Sequence, residues 1–473
     1  MLKNRKSRLT AQYIIVDIVA SLFAWFLFFV FRRLEIESSF IQEIQLFSPI
    51  YNFEKLLVGI PVFWFSIFWI SGYYNEPFNR SRLTEFLQTL SCTFCGSVIL
   101  FFVLLLNDPV VSYYDYYKSF VVLFLITFLV IYIARYAITS TVTYNVHNRT
   151  IGFNTIIIGT ESNALNIYNQ LQSLKRSTGH KIIGFVSLPE EANPAAEANL
   201  ILGDMSKIDL IIKSNNIEEV IVAIDSDDEK SLFKIINNLY KYNINIKFTP
   251  QLYDYLVGGI TLSNIYAAPL VNVLANKMPY WQQNCKRLGD IFCSALFFIV
   301  GWPLMLYLAL RVKRSSDGPI FYKQERIGLH GKPFNIIKFR TMYVSSETGA
   351  PKLASENDSR ITPFGKIMRK YRLDELPQFL NVLKGDMSLV GPRPEQKFFI
   401  DKIIEKAPYY SLVHKVKPGI TSWGMVMYGY ADTVDKMIER LKFDIIYLEN
   451  ISLKIDLKIL IYTVLTIVKG KGV

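Results

Sequence analysis

Two adjacent acids, Asp374 and Glu375, lie in Arg369-Lys-Tyr-Arg-Leu-Asp-Glu-Leu-Pro-Gln378, with Arg369, Lys370 and Arg372 just upstream and an apolar stretch ending in Asn381 behind them. Neighbours on a helix point about 100° apart, so these carboxyls cannot share a proton as a facing dyad but can serve separate roles. One carboxylate can attack phosphorus while another holds a divalent cation that neutralises phosphate oxygens. The plainer alternative is a pair of acids complementing a helix dipole. Cations stand in the same region. Lys338 and Arg340, in Phe334-Asn-Ile-Ile-Lys-Phe-Arg-Thr-Met342, occur at strand spacing and project from one face, which suits a diphosphate or a lipid phosphate; a solvated strand face is the alternative. Arg393 between Pro392 and Pro394, and Lys417 in Lys417-Pro-Gly-Ile-Thr421, sit on stiff turns that hold a cation ready for phosphate.

The elements that must carry these groups are set by composition. The chain has 473 residues, 52 Lys+Arg against 40 Asp+Glu for a net charge of +12, and 51% hydrophobic residues. Its mean hydropathy of +0.24 is high for a soluble protein. The apolar residues fall in blocks, Tyr13 to Phe31, Leu56 to Tyr73, Leu87 to Leu106 and Ser119 to Ile138, each long enough to cross about 30 Å of hydrocarbon. Four transmembrane helices are therefore expected within residues 1–145. Positive charge beside such blocks points to an anionic membrane surface or phosphate ligands and away from nucleic acid. Lys3, Arg5, Lys6, Arg8, Arg80 and Arg82 place the amino terminus in the cytoplasm, although Arg32, Arg33 and Lys55 blur the bias. The first block lacks a small-residue cleavage site and is followed by further spans, so a cleaved signal peptide is the weaker reading. Asp17 lies inside it, one turn from the cytoplasmic end, as a snorkelled or helix-paired carboxylate. Cys92, Cys95, Cys285 and Cys293 suggest neither a disulfide framework nor a zinc site.

Residues 146–275 change texture. Strands at Thr155 to Gly159, Lys181 to Val186, Val220 to Ile224 and Ile244 to Phe248, with helices at Ala164 to Leu174 and Asp204 to Ser214, predict a parallel, Rossmann-like α/β module. Its first turn, Gly159-Thr-Glu-Ser-Asn-Ala164, keeps one glycine of a dinucleotide fingerprint and puts Glu161 where phosphate would approach, so a regulatory or oligomerising role fits better than nicotinamide binding.

A fifth apolar block, Leu288 to Leu310, has Lys286 and Arg287 before it and Arg311, Lys313 and Arg314 after it. Cationic clusters at both ends belong on one face of the membrane. Pro303 near its middle removes a helix bond and bends the axis. A re-entrant helix over about 287–312, broken at Gly301-Trp-Pro303, accommodates all of this; an ordinary fifth span with a kink would place the phosphate-handling residues outside the cell.

Residues 284–473 closely resemble the bacterial sugar transferases of the polyprenyl-phosphate hexose-1-phosphate transferase family, the monotopic phosphoglycosyl transferases. The resemblance is carried by Lys286-Arg287 with Asp290, the Pro303 hairpin, Lys338-Phe-Arg-Thr-Met342, Leu373-Asp-Glu-Leu376, Gly385-Asp-Met-Ser-Leu-Val-Gly-Pro-Arg-Pro394 and Lys417-Pro-Gly-Ile-Thr421, with Ser422 replacing the commoner glycine after the threonine. The four spans and the α/β module resemble the large subfamily's amino-terminal half. The implied architecture is a mixed membrane protein: a four-helix bundle, a Rossmann-like module, and an α-rich monotopic catalytic domain over 276–473. The implied reaction is transfer of a sugar 1-phosphate from a UDP-sugar to undecaprenyl phosphate with release of UMP, initiating exopolysaccharide, capsule or O-antigen synthesis at the cytoplasmic face of the bacterial inner membrane. Mg²⁺ is implied as cofactor. Asp374 would be the nucleophile of a covalent phosphosugar intermediate and would engage Mg²⁺ together with Glu375; Arg393, Lys338, Arg340 and Lys417 would bind substrate. A homodimer through the membrane or α/β part is compatible. A membrane-bound nucleotide-sugar dehydratase would share the amino-terminal layout, but residues 284–473 contain neither a dinucleotide fingerprint nor a Tyr-x-x-x-Lys. A catalytically dead scaffold is opposed by the intact acids and Arg393.

Overall fold

The computed structural model describes residues 2–35, 53–78, 80–105, 113–189, 195–224, 229–242, 244–249, 270–272, 277–343, 358–429 and 431–469. They form two compact units, the first comprising Met1–Thr155, Tyr168–Ile183 and Ile212–Glu218, the second Ile156–Ile167, Gly184–Ile211 and Glu219–Val473.

In the first unit the four expected apolar blocks are helical, at Leu2–Glu35, Phe53–Ile70, Arg82–Leu100 with a π-turn at Phe101–Leu105, and Tyr113–His147. The first and fourth overrun their apolar blocks because backbone hydrogen bonding continues past the hydrocarbon boundary. Three of the helices are long and apolar enough to cross a membrane, and the second is apolar over its described residues Val58–Ile70. Trp64, Phe68, Tyr73, Phe28 and Ile131 fill the interior. Gly96 is what lets Trp64 lie against the third helix, since a Cβ there would stand 2.4 Å from the indole. Cys92 is buried in this packing and Cys95 is exposed, both as free thiols.

Asp17 is helix-paired. Arg135 donates from Nε to Oδ1 at 2.7 Å and from Nη2 to Oδ2 at 2.6 Å, and the Tyr74 hydroxyl adds a third bond at 2.6 Å. Beside it Glu85 accepts from Tyr73 at 2.8 Å and from Thr139 at 2.9 Å. A buried charge is tolerated at this depth because every carboxylate oxygen has a donor.

The sheet runs β3-β2-β1-β4-β5-β6, with β1 at Phe153–Ile158, β2 at His180–Ser187, β3 at Ile201–Asp204, β4 at Glu219–Val222, β5 at Asn245–Phe248 and β6 at Val271–Asn272. The order of the first five is that of a Rossmann fold, as expected. β2 pairs parallel with β3 and β4 with β5, while β6 is antiparallel. The sequence reading omitted β3 and began the following helix at Asp204. Asp204 ends the strand and caps the next turn by accepting from the Lys207 amide, so the α-helix starts only at Ile208.

Within the second unit, residues of this module lean on the 3₁₀ segment Pro408–Lys415. Asn237 donates to the Pro408 carbonyl at 2.9 Å, and the Tyr240 ring stacks on His414 with centroids 5.4 Å apart. Burial, reinforced by His330, lowers the His414 imidazole to about 4.

The helix Tyr280–Ser315 is continuous and contains Pro303. The break expected at Gly301-Trp-Pro303 is therefore not an interruption of the helix. Both ends of this helix engage the polar domain that follows. Arg287 donates to the carbonyls of Val382 and Leu383 at 2.6 and 3.0 Å, and Asp290 accepts from the Leu389 amide at 3.1 Å. At the other end, Leu308 and Val312 are buried with Phe339 and Met368. The exposed side between them is apolar, with Phe292, Leu296, Ile299, Val300 and Trp302.

Candidate active site

Four elements of the second unit build the site. An antiparallel hairpin pairs β7, Phe321–Ile327, with β8, Pro333–Phe339. The helix Pro363–Lys370 follows Thr362, whose hydroxyl accepts from the Gly365 amide at 3.0 Å. Gly365 must be glycine, because a Cβ would lie 2.3 Å from the Thr341 carbonyl. Then come the 3₁₀ helix Leu373–Gln378 and the α-helix Phe379–Lys384. Arg372 enters the 3₁₀ turn with φ +53° and Pro377 lies inside it. The acids thus stand on a 3₁₀ helix and not on the start of an α-helix, which puts adjacent side chains about 120° apart.

Asn381 locks the parts together. Its Oδ1 accepts from the Ile337 amide at 3.1 Å and its Nδ2 donates to the Asn335 carbonyl at 2.8 Å, fixing β8 against the acid-bearing segment. Lys338, the next residue on β8, consequently reaches Glu375 Oε1 at 2.9 Å. Arg393 Nη1 is 3.5 Å from the same oxygen, and Arg372 Nη1 is 3.7 Å from Oε2. Asp374 and Glu375 are both buried.

Electrostatics separates the two acids. Burial pushes Glu375 up, but Lys338, Arg393 and Arg372 outweigh it and hold the carboxyl well below the usual range. Asp374 moves the other way, raised by burial and by the charge of Glu375 beside it. Lys338 is lowered, chiefly by burial. Among the described residues no cation stands within ion-pair distance of Asp374. Glu375 is a buried anion that gathers cations, whereas Asp374 is a buried carboxyl with no ion-pair partner among the described residues.

The expected phosphate contacts divide. Lys338 and Arg393 meet at Glu375. Arg340, buried, donates from Nη2 to the Ser316 carbonyl at 2.5 Å. Lys417 lies at the far end of the Phe379–Lys384 helix, where a Cβ on Gly385 would be 3.5 Å from its Nζ and 3.4 Å from Arg287 Nη2. Pro303 lies in the membrane-facing helix and contributes no polar group.

The sequence reading missed Glu395 and the two arginines that hold it. Arg440 Nη2 donates to Oε1 at 2.6 Å and Arg326 Nη1 to Oε2 at 3.1 Å. The one available signal was an acid directly after the rigid Pro-Arg-Pro. Asp444, on the same helix as Arg440, is raised to about 6 by burial.

Among the described residues no group of three or more His, Cys, Asp or Glu side chains gathers as a metal cage. Mg²⁺ commonly takes one or two carboxylates and completes its shell with substrate phosphates and water. Asp374 fits that mode; Glu375, ringed by three cations, fits it only through a shared phosphate.

Residues 281–470 match the family model described as bacterial sugar transferase, and residues 69–250 match one described as a CoA-binding domain. The chain is 32% identical over 339 residues to a UDP-glucose:undecaprenyl-phosphate glucose-1-phosphate transferase of Xanthomonas campestris pv. campestris, covering 69% of each chain. It is 38% identical over 230 residues to a UDP-N-acetylgalactosamine-undecaprenyl-phosphate N-acetylgalactosaminephosphotransferase of Aeromonas hydrophila, covering 49% of this chain and 54% of that one. It is 31% identical over 338 residues to an undecaprenyl-phosphate galactose phosphotransferase of Salmonella typhimurium, covering 67% and 68%. The match thus spans between about half and two thirds of these relatives' length.

Proposed function

The chain belongs to the bacterial sugar transferase family, and from that premise we propose that it transfers a sugar 1-phosphate from a UDP-sugar to undecaprenyl phosphate, releasing UMP. The observation that carries this reading is the buried Asp374, without an ion-pair partner among the described residues, beside a Glu375 that gathers Lys338, Arg372 and Arg393. An oxygen of Asp374 attacks the sugar-bearing phosphorus; the bond from that phosphorus to the bridging oxygen breaks, and UMP leaves with the electron pair. A phosphate oxygen of the lipid then attacks the same phosphorus, the bond to Asp374 breaks, and the carboxylate is regenerated. The three cations around Glu375 are held where charge develops on the diphosphate. Mg²⁺ bound by Asp374, with Glu375 acting through the donor's phosphate, would neutralise oxygens of that diphosphate. The three relatives are named for three different sugars, so the donor sugar is set by a pocket their names do not share.

We propose further that the helix Tyr280–Ser315 enters and leaves the membrane on the cytoplasmic side, bending at Pro303, and that the polar domain lies on that face of the inner membrane. Arg287 and Val312 are 25 residues apart, about 37 Å along a straight helix, yet both ends bind one polar domain. A straight span would carry them to opposite sides. The product would start a surface polysaccharide such as exopolysaccharide, capsule or O-antigen.

The test is UMP release from the full-length protein with undecaprenyl phosphate, Mg²⁺ and a panel of UDP-sugars. Release with one donor, lost in Asp374→Asn, is expected. Equal release by wild type and Asp374→Asn would overturn the nucleophile assignment; no release with any donor would overturn the reaction.

A further inference from the structure

Arg340 is 7% exposed, and among the described residues it has no carboxylate partner. One of its nitrogens, Nη2, donates to the Ser316 carbonyl, whereas Nε and Nη1 are buried without a hydrogen-bond partner. The Ser316 hydroxyl is likewise buried and unpartnered. Capping a helix carbonyl uses one N–H, so that role leaves two guanidinium donors and a hydroxyl over. A buried guanidinium without an anion is costly, and two guanidinium N–H groups with a neighbouring hydroxyl are the donors a phosphate takes. Ser316 is the C-cap of the Tyr280–Ser315 helix, which places this group where the apolar stretch ending at Leu310 gives way to Arg311, Lys313 and Arg314.

The same group is linked to Asp374 through a second cation. Thr341, next to Arg340, accepts from Arg369 Nε at 3.0 Å, and Arg369 is among the cations acting on Asp374. Lys338, at the neighbouring strand position, is committed to Glu375. Asp374 therefore has one cation group at Glu375 and a second that leads back to the end of the membrane-facing helix.

We infer that Arg340 and Ser316 form a receiving site for a phosphate carried on a lipid, separate from the cations at Glu375. The inference rests on the transferase reading for its assignment to the acceptor half of the reaction. The shared chemistry is a lipid-borne phosphate, which undecaprenyl phosphate and a bilayer phospholipid can both supply.

The test uses full-length protein in nanodiscs, as wild type, Arg340→Gln, Arg340→Lys and Ser316→Ala, with thermal unfolding as a folding check. UMP formed from the UDP-sugar without acceptor reads the first half-reaction; steady-state turnover against undecaprenyl phosphate reads the second. Expected is an unchanged UMP burst and donor KM, with the acceptor KM raised about tenfold or more in Arg340→Gln, less in Arg340→Lys and Ser316→Ala. Nanodiscs of phosphatidylcholine with and without phosphatidylglycerol separate the sources. A variant effect on acceptor KM in both compositions assigns undecaprenyl phosphate; a wild-type dependence on phosphatidylglycerol that the variants lose assigns the bilayer lipid. A raised donor KM or a lost burst with the acceptor KM unchanged would overturn the inference, as would no change in either. Should wild type give no burst, the covalent reading fails by itself, and retention of undecaprenyl phosphate by wild type but not Ser316→Ala, read by native mass spectrometry without UDP-sugar, still decides the site. Ser316→Ala, which removes only a hydroxyl, keeps the test open should Arg340→Gln not fold.

Discussion

Arg393 stands between two buried carboxylates, its Nη1 3.5 Å from Glu375 Oε1 and its Nε 3.9 Å from Glu395 Oε1. The first acid lies on the 3₁₀ helix Leu373–Gln378, and the second is anchored by Arg440 and Arg326. Burial pushes Glu395 up, but Arg440, Arg326 and Arg393 outweigh it, so it stays ionised and fixes the direction in which Arg393 points.

Glu395→Gln should therefore do two things. It removes the ion-pair partner of the buried Arg440 and the partly buried Arg326, a loss of roughly 3 kcal/mol of stability. It also frees Arg393 to swing toward Glu375, raising the donor KM about tenfold while kcat falls less. Thermal unfolding and donor titration read the two effects, and an unchanged donor KM in a destabilised variant would reduce Glu395 to a structural pair.

Acidification should stop the reaction earlier than for an ordinary aspartate. Asp374 is raised, so as the pH falls through its elevated value the carboxylate takes up a proton and cannot attack. The rate of UMP formation should show an acid limb above the usual aspartate range. Glu375→Gln removes the neighbouring negative charge and should move that limb to lower pH in whatever activity remains; a limb that stays in place would detach it from Asp374.

Parts of this arrangement were legible in the sequence and parts were not, for definite reasons. Asp374 and Glu375, the strand spacing of Lys338 and Arg340, and the prolines around Arg393 are local patterns, and local patterns survive without a structure. Glu395, Arg440 and Arg326 come from three segments separated by 45 to 69 residues, and no spacing rule links them. Asp17 and Arg135 are 118 residues apart, so only their depth in apolar blocks hinted that each needed a partner. The 3₁₀ geometry of Leu373–Gln378 follows from a left-handed Arg372 and an internal Pro377, whereas sequence periodicity registers only the apolar helix behind it. β3, four residues ending in a capping aspartate, is too short for alternation to register as a strand.

Breaking the Asp17–Arg135 pair should cost more than removing it whole. Asp17→Asn strands a fully buried guanidinium that now rests on the Phe68 and Tyr73 rings, 3.8 and 3.5 Å from their centroids. A loss of roughly 3–5 kcal/mol is expected. Replacing both, Asp17→Leu with Arg135→Met, should recover most of it. Unfolding in nanodiscs measures both variants, and a double variant as unstable as the single would show that the pair also holds something beyond itself.

The path of the Tyr280–Ser315 helix decides on which side of the membrane the acids work. With the four native cysteines replaced by serine, single cysteines from Trp281→Cys and Lys313→Cys flank the apolar stretch at exposed positions. A re-entrant path predicts that a membrane-impermeant maleimide labels both in inside-out vesicles and neither in right-side-out vesicles. A straight span predicts one from each side. Pro303→Leu restores the missing helix hydrogen bond and removes the steric cause of the proposed bend, so it should shift Lys313→Cys labelling toward the outer side. The cationic clusters at both ends oppose that shift, because Arg311, Lys313 and Arg314 would have to cross with it. Straightening should therefore be partial, and the fraction of Lys313→Cys labelled from outside should match the fraction of transferase activity lost.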